Sequence, residues 1–129
     1  MDTAIFDSDL AALASRGHEQ DAPEGQVLVR EGASGGSLFV ILSGSVAVTR
    51  GGRRIGRLGE GDLLGEVAML AGGPRTASAV VESDARLLVV PASAVHELVE
   101  QRPTLRAALE QAAGARGGPG PGSASDHLA

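Results

Sequence analysis

Residues 38–58 read Leu38-Phe39-Val40-Ile41-Leu42-Ser43-Gly44-Ser45-Val46-Ala47-Val48-Thr49-Arg50-Gly51-Gly52-Arg53-Arg54-Ile55-Gly56-Arg57-Leu58. An apolar run, a Ser-Gly break, an alternating run, a glycine pair and a third β-prone run follow one another, with no room for a helix between them. Val46 and Val48 alternate with Ala47 and Thr49, the period of two that a half-buried strand requires. Gly51-Gly52 fits a two-residue hairpin, because glycine accepts the positive φ that such a turn demands at both central positions. The stretch therefore predicts strands at 38–42, 46–50 and 54–58.

The same punctuation continues on both sides. Further β-prone runs occupy 26–30, 76–81 and 86–90, and turn residues fill Gly32 to Gly36, Gly59 to Asp62, Gly72-Gly73-Pro74 and Ser83-Asp84. Short runs with turns at this spacing and no long helix between them imply an antiparallel sandwich or barrel. Helical patterning is confined to the flanks. Near the N-terminus, Leu10 and Leu13 share a face, Asp7 or Ser8 can cap, Ile5 and Phe6 can staple the first turn, and Gly17 stops the helix. After Pro91, Val95, Leu98 and Val99 make one stripe that ends near Arg102, before Pro103. Leu105, Ala108, Leu109 and Ala112 make a second stripe, which Gly114 is expected to stop. Residues 1–116 are thus expected to be one domain. Residues 117–129, rich in Gly, Pro and small polar residues, bury too little apolar surface to fold and are expected to be disordered.

Composition narrows the function classes. The chain has 129 residues, aromatics are only 2%, and the core must accordingly be built from Val, Leu, Ile and Ala. There is no Cys, which excludes a disulfide framework and thiolate chemistry and fits a reducing cytoplasm. There is no Lys, so all eleven basic residues are Arg and a P-loop is excluded. Net charge is −5 and the arginines form no stripe, unlike a duplex DNA binder, which concentrates positive charge on phosphates. The first residues carry acid where a signal peptide carries base, and no apolar run approaches a membrane span. A cytoplasmic domain with no nucleic-acid or membrane partner is the expectation.

The segment with chemical content is Gly61-Asp62-Leu63-Leu64-Gly65-Glu66-Val67-Ala68-Met69-Leu70, followed after Ala71 by Gly72-Gly73-Pro74-Arg75-Thr76-Ala77. Residues 66–70 suit one helical turn, whose N-terminal N–H groups would favour an anion. Gly65 at its head leaves the backbone open to a ligand. Arg75 supplies a planar fork for two phosphate oxygens, and Glu66 an acceptor for a sugar hydroxyl. Taken singly, a Gly-Glu pair is usually a turn and a lone Arg usually a solvated side chain. Their combination inside a glycine-punctuated β pattern points to a ligand with one negative charge and a vicinal sugar hydroxyl.

Residues 65–77 resemble the phosphate-binding cassette of the cyclic-nucleotide-binding domain superfamily, the type found in catabolite activator proteins and the regulatory subunits of cAMP-dependent protein kinase. Val29-Arg30-Glu31-Gly32 and residues 38–46 match the family's early strands and their turn glycines, and the resemblance extends over about residues 5–113. It implies a mainly β fold, an antiparallel β-roll (jelly roll) with an N-terminal helix and C-terminal helices, acting as a sensor in signal transduction. It also implies site roles. Glu66 would accept the ribose 2′-hydroxyl and Arg75 would pair with the cyclic phosphate. Gly65, Val67, Ala68 and Ala77 would form the cradle, with the N–H groups of Ala68 and Ala77 on the phosphate. Thr76 would face phosphate or base. The ligand would be cAMP or cGMP, with cAMP favoured, and no cofactor or metal is called for. Two departures stand out: Leu64 replaces a frequent aromatic, and Gly35-Gly36 replaces a turn that often carries an acid. The short last helix leaves lid closure and dimerisation open, between a monomer and a weak dimer.

Other chemistries fit poorly. His18, His96 and His127 are too scattered for a cupin-type metal site, and no His is placed to activate a nucleophile, so no enzyme activity is expected. A helix-turn-helix would have to follow the last helix, where a Gly/Pro tail stands instead. The remaining alternative is a copy of the fold that no longer binds ligand and serves as a protein-interaction module. For the sensor reading, the signal would pass to a protein effector in trans or the module would act as a buffer.

Overall fold

The computed structural model describes residues 6–33, 36–65 and 74–117. In chain order the elements are helix α1 (Asp7–Arg16), strands β1 (His18–Ala22), β2 (Val27–Val29), β3 (Ser37–Arg50), β4 (Arg53–Leu58), β5 (Leu63–Leu64) and β6 (Ser78–Pro91), then helices α2 (Ala92–Gln101) and α3 (Pro103–Gly117). Every pairing is antiparallel. β6 carries β1, β2 and β3, and β3 carries β4, β5 and β6. This is the mainly β architecture with flanking helices that the turn spacing implied.

Two long strands organise it. β3 and β6 pair from Ser37↔Pro91 to Thr49↔Ser78, and the register slips between Ile41 and Val46. The Ser43-Gly44 and Ser83-Asp84 breaks, expected to be turns, are instead bends at which both strands continue. The same residue chemistry serves a bulge as well as a turn. Gly44 has φ +85°, and a Cβ there would run into the Asp84 carbonyl and lie 2.6 Å from the Cα of Ala85. The Ser45 and Ser83 hydroxyls bond each other at 2.9 Å across this bend.

The bend separates two burial regimes. Before it, both faces of β3 are covered: Leu38 and Val40 pack with the helices, while Ile41 packs inside the roll. β6 repeats the arrangement, with Leu88 and Val90 toward the helices and Leu87 and Val89 toward the roll. Strands covered on both faces read as continuous apolar runs, which is why 38–42 and 87–90 show no alternation. Beyond the bend one face alone is covered, Val46 and Val48 are fully buried, and alternation appears. The hairpin forms as expected, with Gly51 at φ +61° and Gly52 at φ +79°.

β1 was not foreseen. His-Glu-Gln-Asp-Ala is polar and buries only Ala22, and it is a strand because its backbone pairs with β6 from His18↔Val89 to Ala22↔Ala85. β6 begins at Ser78, not at Thr76. The helix boundaries also differ from expectation. α1 starts at Asp7 with Phe6 in the cap position and no side-chain cap bond. Asp7 therefore lies inside the first turn, where its carboxylate meets the positive helix end. Phe6 is 61% exposed and staples nothing; Ile5 lies outside the described residues. α3 opens with Pro103 in the first turn, which needs no N–H there. It runs past Gly114 to Gly117, since one glycine costs a helix only about 1 kcal/mol. Residues 118–129, expected to be disordered, lie outside the described residues.

The helices are tied together by a buried carboxylate. Asp9 is fully buried, accepts from Arg102 Nε at 2.7 Å and from Thr104 Oγ1 at 2.6 Å, and so joins α1 to the α2–α3 junction. Arg16 and Glu97 add a surface ion pair at 2.7 Å between α1 and α2. Among the described residues, no helix is long and apolar enough to cross a membrane.

Candidate functional site

Three chain segments meet at one mouth of the roll: the loop leading into β3, the end of β5, and the stretch before β6. Arg75 sits at their meeting point and is 6% exposed. Its backbone is fixed first. The Arg75 N–H donates to the Ala33 carbonyl at 2.7 Å, and the Arg75 carbonyl accepts from the Gly32 N–H at 2.9 Å. The side chain then turns inward, and Nη2 donates to the Ser37 carbonyl at 2.8 Å.

Two glycines make room for the guanidinium. Gly36 has φ +111° and Gly65 has φ +101°. A Cβ on Gly36 would collide with Nη2 of Arg75, and one on Gly65 would collide with Nη1 and come within 3.0 Å of the Ser37 carbonyl oxygen. No residue other than glycine supplies both the backbone angle and the clearance without strain. Gly65→Ala is therefore expected to lower stability by about 1–2 kcal/mol and to displace the guanidinium. Thermal melts and a ligand titration of this variant check the two effects separately.

The guanidinium opens onto a cavity of about 320 Å³ lined by Val27, Leu28, Val29 and Phe39 among others, together with Gly36, Ser37 and Arg75. That volume falls at the small end of ligand pockets. Its character follows from the fold: among the described residues, apolar strand side chains line it, with the exposed Arg30 and the buried Arg75 beside them. Burying a charge away from water is costly unless it is paired or hydrogen-bonded, and the Ser37 carbonyl supplies one such bond to the guanidinium.

The site residues read from sequence divide as follows. The structure brings Gly65 and Arg75 into contact. Ala77 is fully buried in the roll core, and Thr76 is half-buried with its carbonyl accepting from Arg50 Nε at 2.9 Å. Glu66, Val67 and Ala68 lie outside the described residues, as does the helical turn expected at 66–70. Sequence reasoning missed Gly36, the Ser37 carbonyl, and the apolar lining from β2 and β3. The sequence marks Gly36 as a turn residue and as a departure from a family pattern, without a link to Arg75. Val27 and Phe39 had been read as strand residues, and no local signal separates a strand residue that lines a cavity from one that fills a core. Among the described residues, no three His, Cys, Asp or Glu side chains converge as a metal site would require.

The fold is thus an antiparallel roll with a buried arginine packed between two glycines at one mouth. The chain belongs to the cyclic nucleotide-binding domain family, whose pattern it matches over residues 19–102. It is 36% identical over 85 residues to the cGMP-dependent protein kinase egl-4 of Caenorhabditis elegans, covering 66% of this chain and 11% of the kinase. It is 32% identical over 106 residues to the CRP-like cAMP-activated global transcriptional regulator of Mycobacterium tuberculosis, covering 76% of this chain and 46% of the regulator. Among solved structures, the catabolite activator protein of Thermus thermophilus superposes with a TM-score of 0.73 at 27% identity, covering 84% of this chain and 53% of that one. The chain thus spans less than half the length of these curated relatives. The kinase's catalytic domain has no counterpart in the described residues.

Proposed function

We infer that the chain binds a cyclic nucleotide as a non-catalytic sensor, with cAMP preferred to cGMP. One observation carries this reading: the buried Arg75 guanidinium, aimed by Ser37 and cleared by Gly36 and Gly65, at the rim of an apolar cavity. A cyclic phosphate carries one negative charge, and a guanidinium fork can hold two of its oxygens. The purine then rests against Val27, Val29 and Phe39. Glu66 accepts the ribose 2′-hydroxyl, the N–H groups of Ala68 and Ala77 complete the phosphate cradle with Gly65 and Val67 beside it, and Thr76 faces phosphate or base. No metal or cofactor takes part.

The regulatory step is a shift between two arrangements of α2 and α3, driven only by the difference in ligand affinity between them. A protein effector in trans receives the signal in a cytoplasmic setting, with the domain acting as a monomer or weak dimer and touching neither nucleic acid nor membrane. Calorimetric titration with cAMP and cGMP tests the reading. Saturable binding at micromolar concentration or tighter, about −8 kcal/mol, with cAMP ahead of cGMP, is expected. Tighter cGMP binding reverses the base preference alone. A folded protein that binds neither would be the interaction-module form of the fold.

A further inference from the structure

The end of the β3–β4 hairpin reaches across to the segment that carries Arg75. Arg50 Nε donates to the Thr76 carbonyl at 2.9 Å. The next N–H, that of Gly51, donates to Glu31 Oε1 at 2.8 Å, and the Glu31 N–H donates to the Ser78 hydroxyl at 2.8 Å. On the other side, Gly32 and Ala33 hold the Arg75 main chain. Residues 75–78 are thus gripped from two directions: by the turn after β2, and by the hairpin turn, which itself leans on that first turn through Glu31.

We propose that Arg50 is a positioning residue for nucleotide binding, acting through the Thr76 carbonyl to hold the Arg75–Thr76–Ala77 main chain in its receptive conformation. This rests on the reading of the site given above. Residues 75–77 belong to no strand or helix, so ladder bonds do not fix them and the grip of side chains and turns must. An irregular segment held by few bonds opens locally more readily than a strand. Each bond that holds it before ligand arrives removes part of the ordering cost of binding. Arg50 itself is exposed, and its role here is steric and directional, through a neutral carbonyl. Glu31, which the sequence marks only within the Val29-Arg30-Glu31-Gly32 match, supports the same grip through its bonds to Gly51 and Ser78.

Arg53 makes the control. It lies on the other side of the Gly51-Gly52 turn, opposite Arg50 in the β3–β4 ladder, carries the same charge and is exposed, and its side chain makes no hydrogen bond or ion pair among the described residues. The experiment compares wild type, Arg50→Ala, Arg50→Lys and Arg53→Ala in two assays below their melting temperatures: calorimetric titration with cAMP and cGMP, and native-state hydrogen exchange at the Gly32 and Arg75 amides without nucleotide. Arg50→Ala is expected to weaken nucleotide affinity about three- to tenfold, the share of one hydrogen bond, and to speed exchange at both amides. Arg50→Lys, which keeps a donor on a long stem, recovers most of both, and Arg53→Ala changes neither. Wild-type exchange and affinity in Arg50→Ala would overturn the proposal, as would an equal loss in Arg53→Ala, which would mark a charge effect. If wild type binds no nucleotide, the sensor reading and this ligand role fall together, and the exchange arm still decides whether Arg50 holds the segment.

Discussion

Arg75→Ala is expected to weaken cyclic-nucleotide binding about a hundredfold, roughly 3 kcal/mol, the upper end for hydrogen bonds to a charged group. The upper end applies because the guanidinium is 6% exposed, and water cannot readily take its place on the phosphate. Arg75→Lys separates charge from geometry. A lysine retains the positive charge but lacks the planar fork, so its affinity is expected to fall between wild type and alanine. Circular dichroism on both variants checks that the fold is kept, and hydrogen exchange at the Gly32 and residue-75 amides checks that the main-chain bonds among Gly32, Ala33 and residue 75 are still made. An Arg75→Ala protein that is folded and binds as wild type does would remove Arg75 from the site.

Asp9→Ala is expected to have the largest effect on stability, about 3 kcal/mol, near the lower end for breaking a buried pair. The lower end applies because Arg102 is one-third exposed and can find water once its partner is gone. For a domain of this size the melting temperature should fall by roughly 10 °C. The carboxylate also has a pH signature. Burial alone pushes the Asp9 pKa up and is the largest single influence. The Thr104 and Arg102 hydrogen bonds and the Arg102 charge together outweigh it, and the pKa ends below the ordinary 3.8. A carboxyl depressed in the folded state contributes stability that is fully present above the unfolded value and lost as pH falls through the folded one. Melts of the wild type should therefore lose this contribution only below about pH 4. In Asp9→Asn that part of the acid dependence should be absent. An Asp9→Ala protein as stable as wild type would show that the helices are held by apolar packing alone.

How much was legible in the sequence can be traced residue by residue. The hairpin at Gly51-Gly52 and the alternation at Val46 and Val48 are local properties, and both appear where the pattern put them. The bends at Gly44 and Ser83 were read as turns because a Ser-Gly or Ser-Asp pair carries the same local preference in a bulge as in a turn. Only the partner strand, which supplies the close approach of Asp84 and Ala85 to Gly44, tells them apart. β1 was illegible for a related reason: its polar residues have no strand pattern, and β6 alone makes it a strand. Of the residues that pack around the Arg75 guanidinium, Gly65 and Arg75 itself were singled out in the sequence. Gly36 was not, since its reason for being glycine is a side chain 39 positions away that packs against it. Asp9 carried no signal of its own in the sequence, because its buried partners, Arg102 and Thr104, lie at the other end of the domain sequence.

The central claim concerns what the Arg75 guanidinium is for, and a crystal structure of the protein grown with cAMP tests it most directly. The account predicts the cyclic phosphate within hydrogen-bonding distance of the Arg75 guanidinium, in the space kept open by Gly36 and Gly65, with the purine against Val27, Val29 and Phe39. A nucleotide bound elsewhere, with Arg75 still turned to Ser37 and no phosphate beside it, would contradict the account.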